Sequence, residues 1–202
     1  MPVVVKKSST RMRSEDRRRQ LLDVACDVFA DRGFSATIMD DVAFAAGVTK
    51  PVLYQHFDSK RALFISVLED CGERLIGSIV DATRSGETLR EQMVAGFTAY
   101  FDFVRNDDAG FRLLFGASAR NDTDFAEVTN KVLEHFADSV TSLIIQDIPD
   151  EERSLIAHAL IGMAESAARY TYLSGVQTNV TDEQLHTWVT TLAWKGLRGI
   201  TD

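Results

Sequence analysis

The sequence is poor in residues that interrupt or cross-link a chain. Proline occurs three times and glycine twelve times in 202 residues. Long stretches are therefore free of breakers, which favours helices over a turn-rich β fold. Two cysteines cannot build a disulfide framework, and their scarcity fits a reducing compartment. No apolar run approaches the roughly 18 residues needed to cross a bilayer. Val3, Val4 and Val5 are too few for the apolar segment of a signal peptide. The expectation is a cytoplasmic protein without a membrane partner. Also absent are a Gly-rich phosphate loop, a nucleophile elbow and a paired-carboxylate motif. His135, His158 and His186 lack partners at ligand spacing. No enzyme, no cofactor and no metal site are therefore expected.

What is present is an ordinary globular balance, 45% hydrophobic and 26% charged, with a net charge of −8. That charge is unevenly spread. Residues 1–61 carry eleven Lys/Arg against eight Asp/Glu, and residues 62–202 carry eleven against twenty-two. A positive head on an acidic body suggests a polyanion contact at one end, with a solubilising tail as the competing account.

Apolar residues recur at spacings of three and four almost throughout, and no Asn-Gly or Asp-Gly hairpin turn occurs. The fold class predicted is all-α. Ser14, Glu15 and Asp16 open a first helix carrying Leu22, Ala25, Cys26 and Phe29, and Gly33 ends it. Thr37-Ile38-Met39-Asp40 reads as a weak capping box for a second helix that Gly47 closes. Thr49 caps a short third helix with Pro51 in its first turn, running to about Phe57. Ser59 caps a long fourth helix bearing Leu63, Phe64, Val67, Leu68, Cys71 and Leu75. Both cysteines thus fall on apolar faces and read as small core residues. Past a break at Ser85-Gly86, helices are predicted over 88–105, 108–119, 124–146, 150–174 and 182–199. Thr181-Asp182-Glu183-Gln184 caps the last.

Residues 37–57 form helix, tight turn and helix, the layout of a helix-turn-helix whose second helix enters the DNA major groove. Gly47 allows the reversal, and Ala43 and Ala46 permit close approach. Val48, Leu53 and Phe57 point inward, leaving Thr49, Lys50, Tyr54, Gln55 and His56 as polar side chains on the outer surface. The stretch Phe29-Ala30-Asp31-Arg32-Gly33-Phe34-Ser35-Ala36-Thr37 resembles the N-terminal domain of the TetR family of bacterial transcriptional regulators. So do Asp41-Val42-Ala43, Ala46-Gly47-Val48 and Leu53-Tyr54-Gln55-His56-Phe57-Asp58-Ser59-Lys60-Arg61-Ala62-Leu63. The match runs over residues 15–68. Lys50-Pro51-Val52 departs from the small residues often found there, which bears on base preference.

The resemblance implies three regions: a basic flexible tail over 1–14, a helix-turn-helix DNA-binding domain over 15–60, and a helical effector-binding and dimerisation domain over 61–202. It implies a homodimer on a near-palindromic double-stranded DNA operator, acting as a repressor released by a small, mainly apolar effector. The alternative is a helix-turn-helix regulator whose C-terminal domain binds a protein partner and no small molecule. Thr37 would offer its hydroxyl to a phosphate, and Lys60 would meet another. Thr49 and Lys50 would reach base edges or backbone, Tyr54 a phosphate or base, and Gln55 a base edge. His56 is either a DNA contact or a packing residue, and Gln55 competes with a solvated face. The aromatics Phe97, Tyr100, Phe101, Phe111 and Phe115 read as core by spacing, and the resemblance makes some of them pocket walls. Glu165 and Arg169, an i,i+4 pair, join Trp188 and Leu192 as candidate dimer-interface residues.

Overall fold

The computed structural model describes residues 14–116, 122–142, 149–174 and 179–201, and every regular element among them is helical. The chain divides into two compact units between Phe64 and Ile65, inside a helix. The boundary read from sequence lay at Lys60. Residues 1–13, most of the expected basic tail, lie outside the described residues.

The first unit is built on α1 (Ser14–Ala36), α2 (Met39–Ala45), α3 (Lys50–Tyr54) and the start of α4 (Lys60–Thr83). Gly33 takes φ 77° and ψ 159°, a break inside α1 that an L side chain would resist. Leu21, Leu22, Ala25, Cys26 and Phe29 are buried along one face of α1, as the spacing predicts. Phe29, Phe34 and Phe64 then form a ring cluster with centroids 4.9–6.1 Å apart, within the range of favourable edge and offset contacts. Gly47 turns the chain at φ 63°, and Val48 N–H donates back to the Ala43 carbonyl at 3.0 Å. Leu53 and Phe57 are buried.

Thr37 is not the α2 cap. Its hydroxyl donates to the Gly33 carbonyl at 2.8 Å and the residue is buried. Ile38 takes the cap position instead, and its N–H donates to the Asp41 carboxylate at 3.0 Å. The acid acts one residue later than the sequence motif suggests, because the tight Gly33 exit holds Thr37 inward. The third helix is also shorter than predicted, ending at Tyr54. Ser59 caps α4 as expected, its Oγ accepting from Ala62 N–H at 3.1 Å.

The second unit adds α5 (Leu89–Asn106), α6 (Asp108–Phe115), α7 (Thr123–Thr141), α8 (Asp150–Ala168) and α9 (Asp182–Thr201) to the rest of α4. Reciprocal caps open α5 (Thr88 with Glu91) and α9 (Thr181 with Gln184). Helix α8 widens into a π-helical turn over Arg169–Leu173, where the sequence suggested unbroken α-helix. The tails of the predicted 108–119 and 124–146 helices fall on residues outside the description. The core holds Tyr100, Phe101, Phe111, Phe125, Leu68 and Leu75. Gly72 is a packing requirement there, because a Cβ at that position would lie 2.4 Å from Val132.

Candidate nucleic-acid interface and effector cavity

The first unit presents α3 at its surface. Thr49 sits at the N-cap, exposed, with its hydroxyl making no cap bond. Lys50, Tyr54 and Gln55 are exposed, and His56 is half-buried beside Phe57 with rings 6.4 Å apart. The turn therefore holds four polar side chains outward while Leu53 and Phe57 anchor the helix from beneath.

Two cations have partners that the sequence does not announce. Lys50 Nζ lies 2.9 Å from the Asp40 carboxylate, and that hydrogen bond raises the lysine pKa above its ordinary value. Both groups are about half exposed, so solvent screens the pair and it adds little to stability. Phosphate oxygens can replace Asp40 cheaply. Lys60 is held more firmly. Its Nζ donates to the Phe34 and Thr37 carbonyls, both at 2.8 Å, and stands 4.4 Å from the centre of the Phe34 ring. It fastens the start of α4 to the α1–α2 connection, a role the sequence reading missed. One N–H of its ammonium is left for a phosphate. Thr37, buried and engaged with Gly33, has no side-chain group left for one.

The second unit contains an apolar cavity of about 70 Å³, part of it open to solvent. Met93, Gly96, Phe97 and Tyr100 form one face of α5 along it, and Ile79, Phe136, Ile161 and Leu197 come from α4, α7, α8 and α9. Of the five candidate pocket aromatics, Phe97 and Tyr100 line this cavity. Phe101 and Phe111 do not. Phe101 lies beside Phe97, stacked on it at 6.4 Å and on His186 at 5.1 Å, and Phe111 packs between Tyr100 and Phe115. Phe115 borders a separate space of about 140 Å³ with Thr129, Asn130 and Glu165. Helical phase contributes to the outcome: positions 93, 96, 97 and 100 share a face, and 101 lies at its edge, next to 97.

The interface candidates also divide. Trp188 and Leu192, one turn apart on α9, are 58% and 65% exposed. Leu155 and Tyr170 are exposed as well, with Ala159, Gly162 and Ser166 between them on the same stripe of α8 and the following turn. Glu165 and Arg169, the other two candidates, are partly buried. They lie 3.6 Å apart, each about one-third exposed, and Arg169 donates to the Phe115 carbonyl at 2.6 Å. Arg169 thereby satisfies a carbonyl at the C-terminal end of α6.

Among the described residues no helix is long and apolar enough to cross a membrane, and no group of three metal-ligating side chains occurs. A helix-turn-helix with its short second helix exposed on one unit, and an apolar cavity in the other, are the two parts of a helix-turn-helix transcriptional regulator. Comparison with known proteins gives the family. Residues 21–67 match the family described as bacterial regulatory proteins, tetR family. Residues 89–196 match a tetracyclin repressor-like C-terminal domain. The HTH-type transcriptional activator FasR of Mycolicibacterium smegmatis is 36% identical over 162 residues, spanning 79% of this chain and 74% of that protein. The HTH-type transcriptional repressor KstR2 of Rhodococcus jostii is 36% identical over 88 residues, 44% of this chain and 43% of its own length. A TetR-like regulator from Rhodococcus sp. RHA1 superposes with a TM-score of 0.66 at 28% identity, covering 94% of this chain and all of that one. FadR from Bacillus subtilis, solved with stearoyl-CoA, superposes at 0.73 with 16% identity, covering 87% and 96%. The chain belongs to the TetR family of bacterial regulatory proteins.

Proposed function

We propose that this regulator binds a near-palindromic operator as a homodimer and leaves it when a mainly apolar effector, an acyl chain first among candidates, enters the α5 cavity. The observation that carries the effector is the cavity wall. Met93, Phe97, Phe136, Ile161 and Leu197 offer hydrocarbon surface and no formal charge, so a ligand must match them by burying apolar area. The same cavity favours a small molecule over the protein-partner alternative. FadR, bound to stearoyl-CoA, supports the acyl class by likeness of fold alone. The homodimer rests on the exposed apolar and small-residue stripe of α8 and α9, which water would otherwise cover at a cost.

Thr49, Lys50, Tyr54 and Gln55 would meet the operator, with Lys60 adding one phosphate contact and His56 at the margin. Two recognition helices must then stand about 34–36 Å apart, or a multiple of that, to enter successive major grooves. Release on effector binding is compatible with either sign of control. FasR is named an activator and matches most of this chain, whereas KstR2 is named a repressor and matches less than half. Repression holds if the operator overlaps the promoter, and activation if it lies upstream.

The test is a footprint on DNA upstream of the regulator's own gene, followed by titration of wild type and Gln55→Ala on operator variants. Gln55→Ala should lose discrimination at one base pair per half-site, typically worth about 1–3 kcal/mol. Equal losses on every variant would exclude base reading by Gln55. An unprotected upstream region would count against an operator at that site.

A further inference from the structure

Tyr100 carries a feature that an apolar cavity does not explain. Its ring lines the cavity wall, parallel to Phe136 with centroids 6.3 Å apart, and meets Phe101 and Phe111 edge-on. Only 1% of the residue is exposed. Yet its hydroxyl has no hydrogen-bond partner among the described residues. Native interiors rarely strand such a group, and a ligand atom is one reason to keep it.

The surroundings select the chemistry of that atom. Burial and the nearby Glu165 carboxylate hold the phenol above its ordinary pKa, so it keeps its proton and donates. Arg169 is the opposing charge, but it already faces Glu165 and donates to the Phe115 carbonyl. A second buried hydroxyl without a partner among the described residues, Thr129 Oγ1, belongs to a residue lining the space that Glu165 also borders. An anion brought to Tyr100 would meet Glu165 with the local cation engaged elsewhere. A bare alkane would leave the phenol unpaired. An uncharged acceptor satisfies both conditions.

On the proposed role of the cavity as the effector site, we infer that Tyr100 is its polar anchor. Its hydroxyl donates to the uncharged carbonyl oxygen of an acyl ester or thioester whose tail lies along Met93, Phe97 and Phe136. The carboxylate of a free fatty acid is the disfavoured form.

The experiment displaces Nile red, a neutral dye, from the full-length protein with four probes of one chain length: methyl dodecanoate, its S-methyl thioester, dodecane and the dodecanoate anion. Wild type should bind the ester or thioester about tenfold more tightly than dodecane, the size of one buried hydrogen bond. Dodecanoate should show no such gain. Tyr100→Phe should erase the preference and leave dodecane binding unchanged. Without ligand the variant should melt at or above the wild-type temperature, because it loses an unpaired hydroxyl and no packing. A large fall would assign the hydroxyl a structural partner and overturn the anchor. Equal binding of ester and dodecane by wild type, or survival of the preference in Tyr100→Phe, would overturn it too while leaving the cavity as the effector site. Failure of all four probes to displace the dye would remove the cavity as that site, and the anchor with it. Tighter binding of either carbonyl compound keeps the anchor and separates oxygen esters from thioesters.

Discussion

Lysines 50 and 60 look alike in the sequence, two basic residues flanking a short helix, and do different work. Lys50 is a surface cation on a loose carboxylate partner. Replacing Asp40 by Asn should strengthen operator binding, because Lys50 no longer has to leave an acid and one negative charge is removed from the DNA-facing side. Anisotropy titrations at two salt concentrations would check this, and weaker binding by Asp40→Asn would mean the pair orients Lys50. Lys60 holds two main-chain carbonyls that belong to the α1–α2 connection. Lys60→Met should therefore lower stability by roughly 1 kcal/mol, through hydrogen bonds to a half-exposed charge. It should also reduce the salt dependence of operator binding by about one ion. A variant that melts like wild type would show the carbonyl bonds to be dispensable. Thr37 teaches the opposite lesson. Its position before α2 suggests a phosphate donor, but a buried hydroxyl bonded to Gly33 has nothing to offer.

At the level of elements, the turn and the two last helices carry the testable content. Gly47 adopts φ 63° and a Cβ there would touch nothing within 4 Å. Gly47→Ala should cost only the left-handed backbone penalty, about 1 kcal/mol, and urea unfolding would measure it. A larger loss would reveal a contact made by the rearranged turn. The exposed α8–α9 stripe predicts that Trp188→Glu dissociates the dimer, since a carboxylate would be buried without a partner. Sedimentation should then give a monomer and operator affinity should drop with it. An intact dimer would place the interface elsewhere. This stripe was only half legible in the sequence. Trp188 and Leu192 stand out as large apolar groups one turn apart, whereas Glu165 and Arg169 match the i,i+4 pattern of a surface pair equally well. That Arg169 reaches the Phe115 carbonyl depends on how α8 packs against α6, which no local pattern encodes.

For the whole molecule, the charge distribution and the cavity make linked predictions. Operator affinity should fall steeply with salt, because the basic excess of residues 1–61 meets phosphates and the acidic remainder does not. An effector at 100 times its dissociation constant should add about 2.7 kcal/mol of stability to the free protein and raise its thermal midpoint. Operator DNA must weaken that effector by the same factor by which the effector weakens the operator. Calorimetry with and without operator would measure both sides of this balance. A ligand bound equally well by free and DNA-bound protein does not drive release.

The sequence by itself determined the helical class, most helix starts and which side chains of the helix-turn-helix face outward. These are local matters: capping pairs act over three residues, breakers act where they stand, and a helix-turn-helix is compact enough for its pattern to be contiguous. Even the aromatic face of α5 could be located from spacing. Only the tertiary structure decided which of those aromatics border empty space, that the Tyr100 hydroxyl has no hydrogen-bond partner among the described residues, and that Lys60 closes a distant backbone turn. Each of these depends on contacts between residues far apart in the chain, across 26 positions for Lys60 and Phe34 and 54 for Arg169 and Phe115. Such contacts are set by how whole helices pack, and helical periodicity gives a face without saying what it meets.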